Sequence, residues 1–103
     1  MKIKTGKKLK AIAEHYGIQK QVGMLCEESA EFIQAVNKYY RAINTIHYDS
    51  QEEKHRYNNL KEELADVIVV ALQLRYLFGE EEIDRIIRKK IKRQIRRIAD
   101  ERE

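Results

Sequence analysis

A chain of 103 residues with 43% hydrophobic content, no Pro and only four Gly has room for one core, which at this size removes roughly 60–70% of the unfolded surface from water. It lacks the turn residues of a β-rich domain and has the bias of an all-α protein. One Cys excludes an intramolecular disulfide, and Met1 to Lys10 is basic and polar, so neither a cleavable apolar leader nor a membrane-length apolar run is expected.

The reading is therefore a single cytoplasmic domain, residues 1–103. Lys7 to Tyr16 is predicted as a short helix stopped at Gly17, where a residue without a side chain takes a left-handed cap freely. From Ile18 to Ile43, the residues Ile18, Val22, Leu25, Ser29, Phe32, Val36 and Tyr39 recur every three or four positions, the stripe of an amphipathic helix. Cys26, inside this helix, is expected to be a buried and inert thiol. Ser50 with Glu53 reads as a capping box opening a third helix. Val67 to Val70 would also suit a buried strand, but the pattern runs unbroken from Ser50 to Gly79 and its length decides for helix. In the fourth helix, acidic residues at Glu80, Glu81, Glu82 and Asp84 precede basic Arg96, Arg97 and Arg102, matching the helix dipole. Its apolar stripe is Ile83, Ile87, Ile91, Ile95 and Ile98. The expected architecture is an antiparallel helical hairpin with a short N-terminal helix and a basic C-terminal helix. Apolar residues on more than one side of the long helices predict completion to a four-helix-type bundle by a homodimer or homotetramer.

Two acidic runs stand out. Glu27-Glu28-Ser29-Ala30-Glu31 and Glu63-Leu64-Ala65-Asp66 lie symmetrically about residue 47. A chain folded back around Asn44 to Ser50 sets Glu31 opposite Glu63 and Glu28 opposite Asp66. Successive helical residues turn by about 100°, so Glu28 borders the apolar stripe while Glu27 points more nearly away. Leu60, Val67, Val70, Leu74 and Leu77 place Glu63 in the middle of an apolar face, with Asp66 on its flank. A solvated surface charge explains Glu27 alone as well as a function does; it does not explain Glu63 with Asp66, because a buried charge is costly unless compensated. Neighbouring ionised carboxylates repel and take up protons unless cations sit between them. An all-oxygen set favours Mg²⁺ or Mn²⁺ over Zn²⁺, and this many carboxylates leave room for two ions.

Glu-Glu-x-x-Glu followed by Glu-x-x-Asp on consecutive long helices resembles the MazG-like all-α nucleoside triphosphate pyrophosphohydrolases, a superfamily that includes dimeric dUTPases and phosphoribosyl-ATP pyrophosphohydrolase. The resemblance covers about Ile18 to Gly79. It implies Mg²⁺-dependent attack of water on a nucleoside triphosphate, releasing pyrophosphate and a monophosphate. By the same resemblance Glu28, Glu31, Glu63 and Asp66 are metal ligands, and Glu27 orients water or acts as general base. The gap between the motifs is long for the family, and Ala65 stands where the family often has Gly.

The charge is uneven, with five lysines in the first ten residues and nine Lys or Arg from Arg85 to Arg102, for a net +4. Folding the fourth helix back around Gly79 predicts that Lys92 to Arg96 lies level with the acids; Arg93 and Arg97 border the apolar stripe as candidates for triphosphate oxygens, with a solvated basic face as the alternative, the more so for residues other than Arg93. Lys38, on the Glu31 face, is a second candidate. No membrane partner is expected. The rival reading is a nucleic-acid-binding helical module that uses the basic ends; it leaves the buried acids unexplained. A weaker third reading is a catalytically silent assembly protein.

Overall fold

The computed structural model describes residues 4–102; Lys2, part of the basic start, lies outside them. Three helices follow in order: α1, Lys7–Ile43; α2, Ser50–Phe78; and α3, Glu80–Glu101. Within α1 the backbone leaves helical geometry at Gly17, at φ 80° and ψ 171°, a combination that essentially only Gly adopts. The first turns therefore form a separate arm, joined at a fixed bend to the long segment that carries the first acidic run.

The turn after α1 is closed by Asn44, whose backbone N–H and side-chain Nδ2 both donate to the Tyr40 carbonyl at 3.1 Å. The start of α2 differs from the predicted capping box. Asp49 is the N-cap, accepting from the Gln51 N–H at 2.9 Å, and Ser50 is already helical. Glu53 meets the Tyr48 hydroxyl instead of reaching back to Ser50. A carboxylate one position earlier takes over the orphan donor because Asp at this position is as good a cap as Ser.

α1 and α2 run antiparallel along their lengths. Gln21 bonds Gln73, Tyr39 packs on Tyr57 at 5.7 Å between ring centroids, and Tyr76 donates to Glu14. Gln21 and Gln73 stand equally far from residue 47, the same midpoint as the acidic runs. The core between them is thin: Ala13, Ala35, Ala42, Val70 and Leu74. Small side chains let the helix axes approach but bury little area.

α3 departs from the expectation of a helix folded flat on the hairpin. It leaves α2 through the single residue Gly79, at φ 113°, and no residue of α3 comes within 8 Å of α1, Cα to Cα. Arg75 sets the angle. Its guanidinium donates twice to Asp84 at 2.7 Å and once to Thr5 Oγ1 at 3.0 Å, and the side chain is 8% exposed. The two helices open as a V, with Ile68, Leu72, Ile83, Ile87 and Ile91 along the groove. The molecule extends 47 × 46 × 20 Å with a radius of gyration of 17.5 Å, against about 13 Å for a compact chain of this length. Its surface of 8633 Å² is roughly two-fifths larger than a compact monomer of this mass presents. Apolar residues on more than one side of α2 are open in the single chain: Leu64, Ile68, Val69 and Phe78 are all exposed. Cys26, expected inside, is exposed too, on a side of α1 that the described residues leave open.

Gly17 offers a stability test. A Cβ there meets no atom within 4 Å, so the cost of a side chain is backbone strain alone. Gly17→Ala should lower the unfolding free energy by about 1–3 kcal/mol in a denaturant titration. A change inside about 0.5 kcal/mol would show that the arm does not hold this bend.

Candidate metal centre

The antiparallel register of α1 and α2 determines which acids meet. Glu28, Glu31 and Glu63 each direct a carboxylate oxygen to a common point, and the three oxygens lie within 4.8 Å of one another. Glu28 and Glu63 are half-buried and Glu31 is exposed. Glu28 Oε2 and Glu63 Oε2 are shut off from solvent with no hydrogen-bond partner among the described residues. Buried polar atoms are nearly always satisfied; Glu80 Oε1, outside the cluster, is the third such atom among the described residues, and at the cluster two of the three carboxylates each carry an oxygen without a partner. The donor set is hard oxygen throughout, the chemistry of Mg²⁺ or Mn²⁺.

Electrostatics point the same way. Burial, and then the charges of Glu31, Asp66, Glu63 and Glu27, raise the Glu28 carboxyl above its ordinary 4.5. Glu63 is raised above 4.5 by burial, by Glu31 and Asp66, and by a proton that Glu63 and Glu31 can share. That shared hydrogen bond exists only when one of the two is protonated. Two ionised carboxylates have no donor between them.

The remaining predicted site residues fall into two groups. Asp66 is exposed and lies outside the three-carboxylate cluster, yet it lines a cleft together with Glu28, directly beside it. Glu27 is exposed on α1, about 100° around the helix from Glu28. Lys38 is not at the cluster: it lies two turns nearer the hairpin tip, in a shallow pocket with Arg41, Thr45, Glu52 and Arg56. Arg93 and Arg97 are exposed on α3, and because α3 splays away from α1 they do not reach the acids of their own chain. Splaying follows from the one-residue hinge and the Arg75–Asp84 pair, neither of which the apolar periodicity of α3 reveals.

Sequence reasoning passed over Gln21, Gln73 and Arg75, each at most 8% exposed. A signal existed for the glutamines. Gln73 interrupts the apolar run from Val67 to Leu74, and the symmetry about residue 47 that pairs the acids pairs it with Gln21.

A family model described as the MazG nucleotide pyrophosphohydrolase domain matches residues 17–98. The match begins at the Gly17 bend, takes in both acidic runs and ends near the close of α3. No curated protein and no solved structure gives a significant match to the chain. No helix among the described residues is long and apolar enough to cross a membrane.

The raised carboxyls fix a pH dependence. Folded protein without metal holds protons on Glu28 and Glu63 more tightly than unfolded chain does, so their contribution to stability falls as pH rises from 4.5 through the raised values. Asp84 works oppositely and in a separate window. The Arg75 guanidinium holds it below 3.8, so its contribution is present above that value and lost as pH falls through the lowered one. With chelator present, the melting temperature should decline from mildly acidic pH toward neutrality, and Glu63→Gln should flatten the decline. A melting temperature that climbs over the same range, and climbs less in Glu63→Gln, would mean that Glu63 is paired with a cationic side chain.

Proposed function

The chain belongs to the MazG nucleotide pyrophosphohydrolase family, and on that premise we propose that it hydrolyses nucleoside triphosphates to a monophosphate and pyrophosphate, using Mg²⁺ or Mn²⁺ held by Glu28, Glu31, Glu63 and Asp66. The observation that carries this reading is the convergence of three carboxylates, two of which, Glu28 and Glu63, each hold a solvent-inaccessible oxygen without a partner among the described residues. A divalent cation at that point supplies charge neutralisation for the phosphates and lowers the pKa of water.

The chain's own residues do the rest. Glu28 and Glu63 stand half-buried on facing helices of the hairpin and bring their oxygens to one point with Glu31. Asp66 extends the carboxylate wall toward the neighbouring cleft. Glu27, exposed beside Glu28, orients the attacking water and accepts its proton as general base. Arg93 and Arg97 carry planar donors suited to phosphate oxygens, and Lys38 adds a further positive charge.

The working form in this proposal is a homodimer or homotetramer. The excess surface and the open α2–α3 groove support it, since chains that expose this much apolar area normally bury it in association. Assembly also offers the basic helix of one copy a route to the acids of another, which a splayed α3 denies within one chain.

Purified protein with Mg²⁺ or Mn²⁺ should release pyrophosphate, not orthophosphate, from at least one common nucleoside triphosphate, and the activity should co-elute with a dimer or larger species in light scattering. Glu28→Gln or Asp66→Asn should lower kcat by about 100-fold or more with helicity retained. Failure of the wild type on every nucleotide with either metal would overturn the hydrolase; activity in a strictly monomeric peak would overturn the assembly.

A further inference from the structure

Beside the carboxylates, between the N-terminal arm and α2, lies a cleft of about 270 Å³. That is just below the range of whole-ligand pockets, roughly 300–1,000 Å³, and suits one part of a ligand. Its walls are Ile12, Tyr16, Met24 and Val69, and Glu28 and Asp66 stand at its rim. The cleft is also lined by Gln21 and Gln73, each only 3% exposed and bonded to each other.

This glutamine pair is not what a packing role calls for. The bond runs from Gln21 Nε2 to Gln73 Oε1 and satisfies one donor and one acceptor. Gln21 Oε1 and Gln73 Nε2 make no hydrogen bond to any described residue, yet neither is among the solvent-inaccessible orphaned atoms. Two apolar side chains would fill the same space without the desolvation cost of two amides. An acceptor and a donor in a cleft that a tyrosine ring and a methionine also line complement a flat group with apolar faces and a polar edge.

Resting on the hydrolase reading above, we infer that this cleft receives the nucleobase of the substrate, with Gln21 and Gln73 bonding its polar edge and Tyr16 and Met24 covering its faces. Spacing supports the assignment. Gln21 precedes Glu28 by seven residues, about 10 Å along the helix, a separation that a sugar bridges when phosphate is held at one end and base at the other. The amide pair also sets the kind of selectivity. If both amides turn over together, their mutual bond survives and the remaining donor and acceptor exchange places. Edges that pair an amino group with a ring nitrogen and edges that pair a carbonyl with N–H are then both accepted. The pair distinguishes a nucleotide from a base-free triphosphate more sharply than one base from another.

The test uses the full chain. Without metal, adenosine and uridine should each shift the side-chain NH₂ signals of Gln21 and Gln73 in a ¹⁵N NMR titration, whereas ribose 5-phosphate should not. With Mg²⁺, Gln73→Leu should raise KM for nucleoside triphosphates on the order of tenfold, with a smaller change in kcat, and should reduce the preference for them over ribose 5-triphosphate by a similar factor. Should Gln73→Leu not fold, Tyr16→Ala, at a side chain 50% exposed, should raise KM in the same direction. Wild-type hydrolysis of nucleotides combined with unshifted glutamine signals and unaltered KM would overturn the base site and leave the hydrolase standing. Absence of hydrolysis with every nucleotide and either metal would overturn both.

Discussion

Carboxylate oxygens brought within 4.8 Å of one another across two packed helices repel, and the half-buried setting of Glu28 and Glu63 screens that repulsion less than open water does. The rest of the molecule is arranged around this contact. The hairpin register creates it, because Gln21 with Gln73 and Tyr39 with Tyr57 hold α1 and α2 in the same antiparallel alignment. The Gly17 bend turns the N-terminal arm so that Ile12 and Tyr16 wall the cleft beside it. Without a cation the cluster costs stability; in the proposed function a divalent cation bound only by the folded chain would offset that cost.

The hairpin is thinly cored, and that bears on function. Alanines at 13, 35 and 42 give close approach with little buried area, so the single chain leaves large apolar residues open on α1, α2 and α3. Ile33, Tyr40, Ile68 and Ile95, all exposed, are spread over different faces, consistent with cover from more than one side. The Arg75–Asp84 pair and its Thr5 contact hold α3 at an angle that keeps its isoleucines presented. Anchoring by a bidentate ion pair at the hinge suits such a helix, since planar donors resist rotation better than a single contact.

Much of this was legible in the sequence, and the failures have physical causes. Helix type and extent followed from the three-to-four periodicity and from Gly17 and Gly79. The proximity of Glu28, Glu31 and Glu63 followed from symmetry about residue 47, because an antiparallel pair with a short turn must align residues equidistant from it. The direction of α3 did not follow. Periodicity tells which face of a helix is apolar, not what covers it, and a one-residue hinge at Gly79 allows many angles until Arg75 selects one. Cys26 was expected inside for the same reason: its apolar surroundings in sequence are exposed in the single chain. Gln21 and Gln73 were passed over because polar residues in an amphipathic stretch read as surface, although their symmetry would have paired them.

The central claim is that the three carboxylates form a divalent-cation site, and direct binding tests it without any substrate. Mn²⁺ titrated into metal-free protein can be followed by the electron paramagnetic resonance signal of the free ion. The wild type should remove that signal until its site is filled, and Glu63→Gln, close in shape but one charge fewer, should weaken binding by at least about tenfold. A wild-type titration that leaves the free-ion signal undiminished, or a Glu63→Gln variant that binds as well as the wild type, would contradict the account.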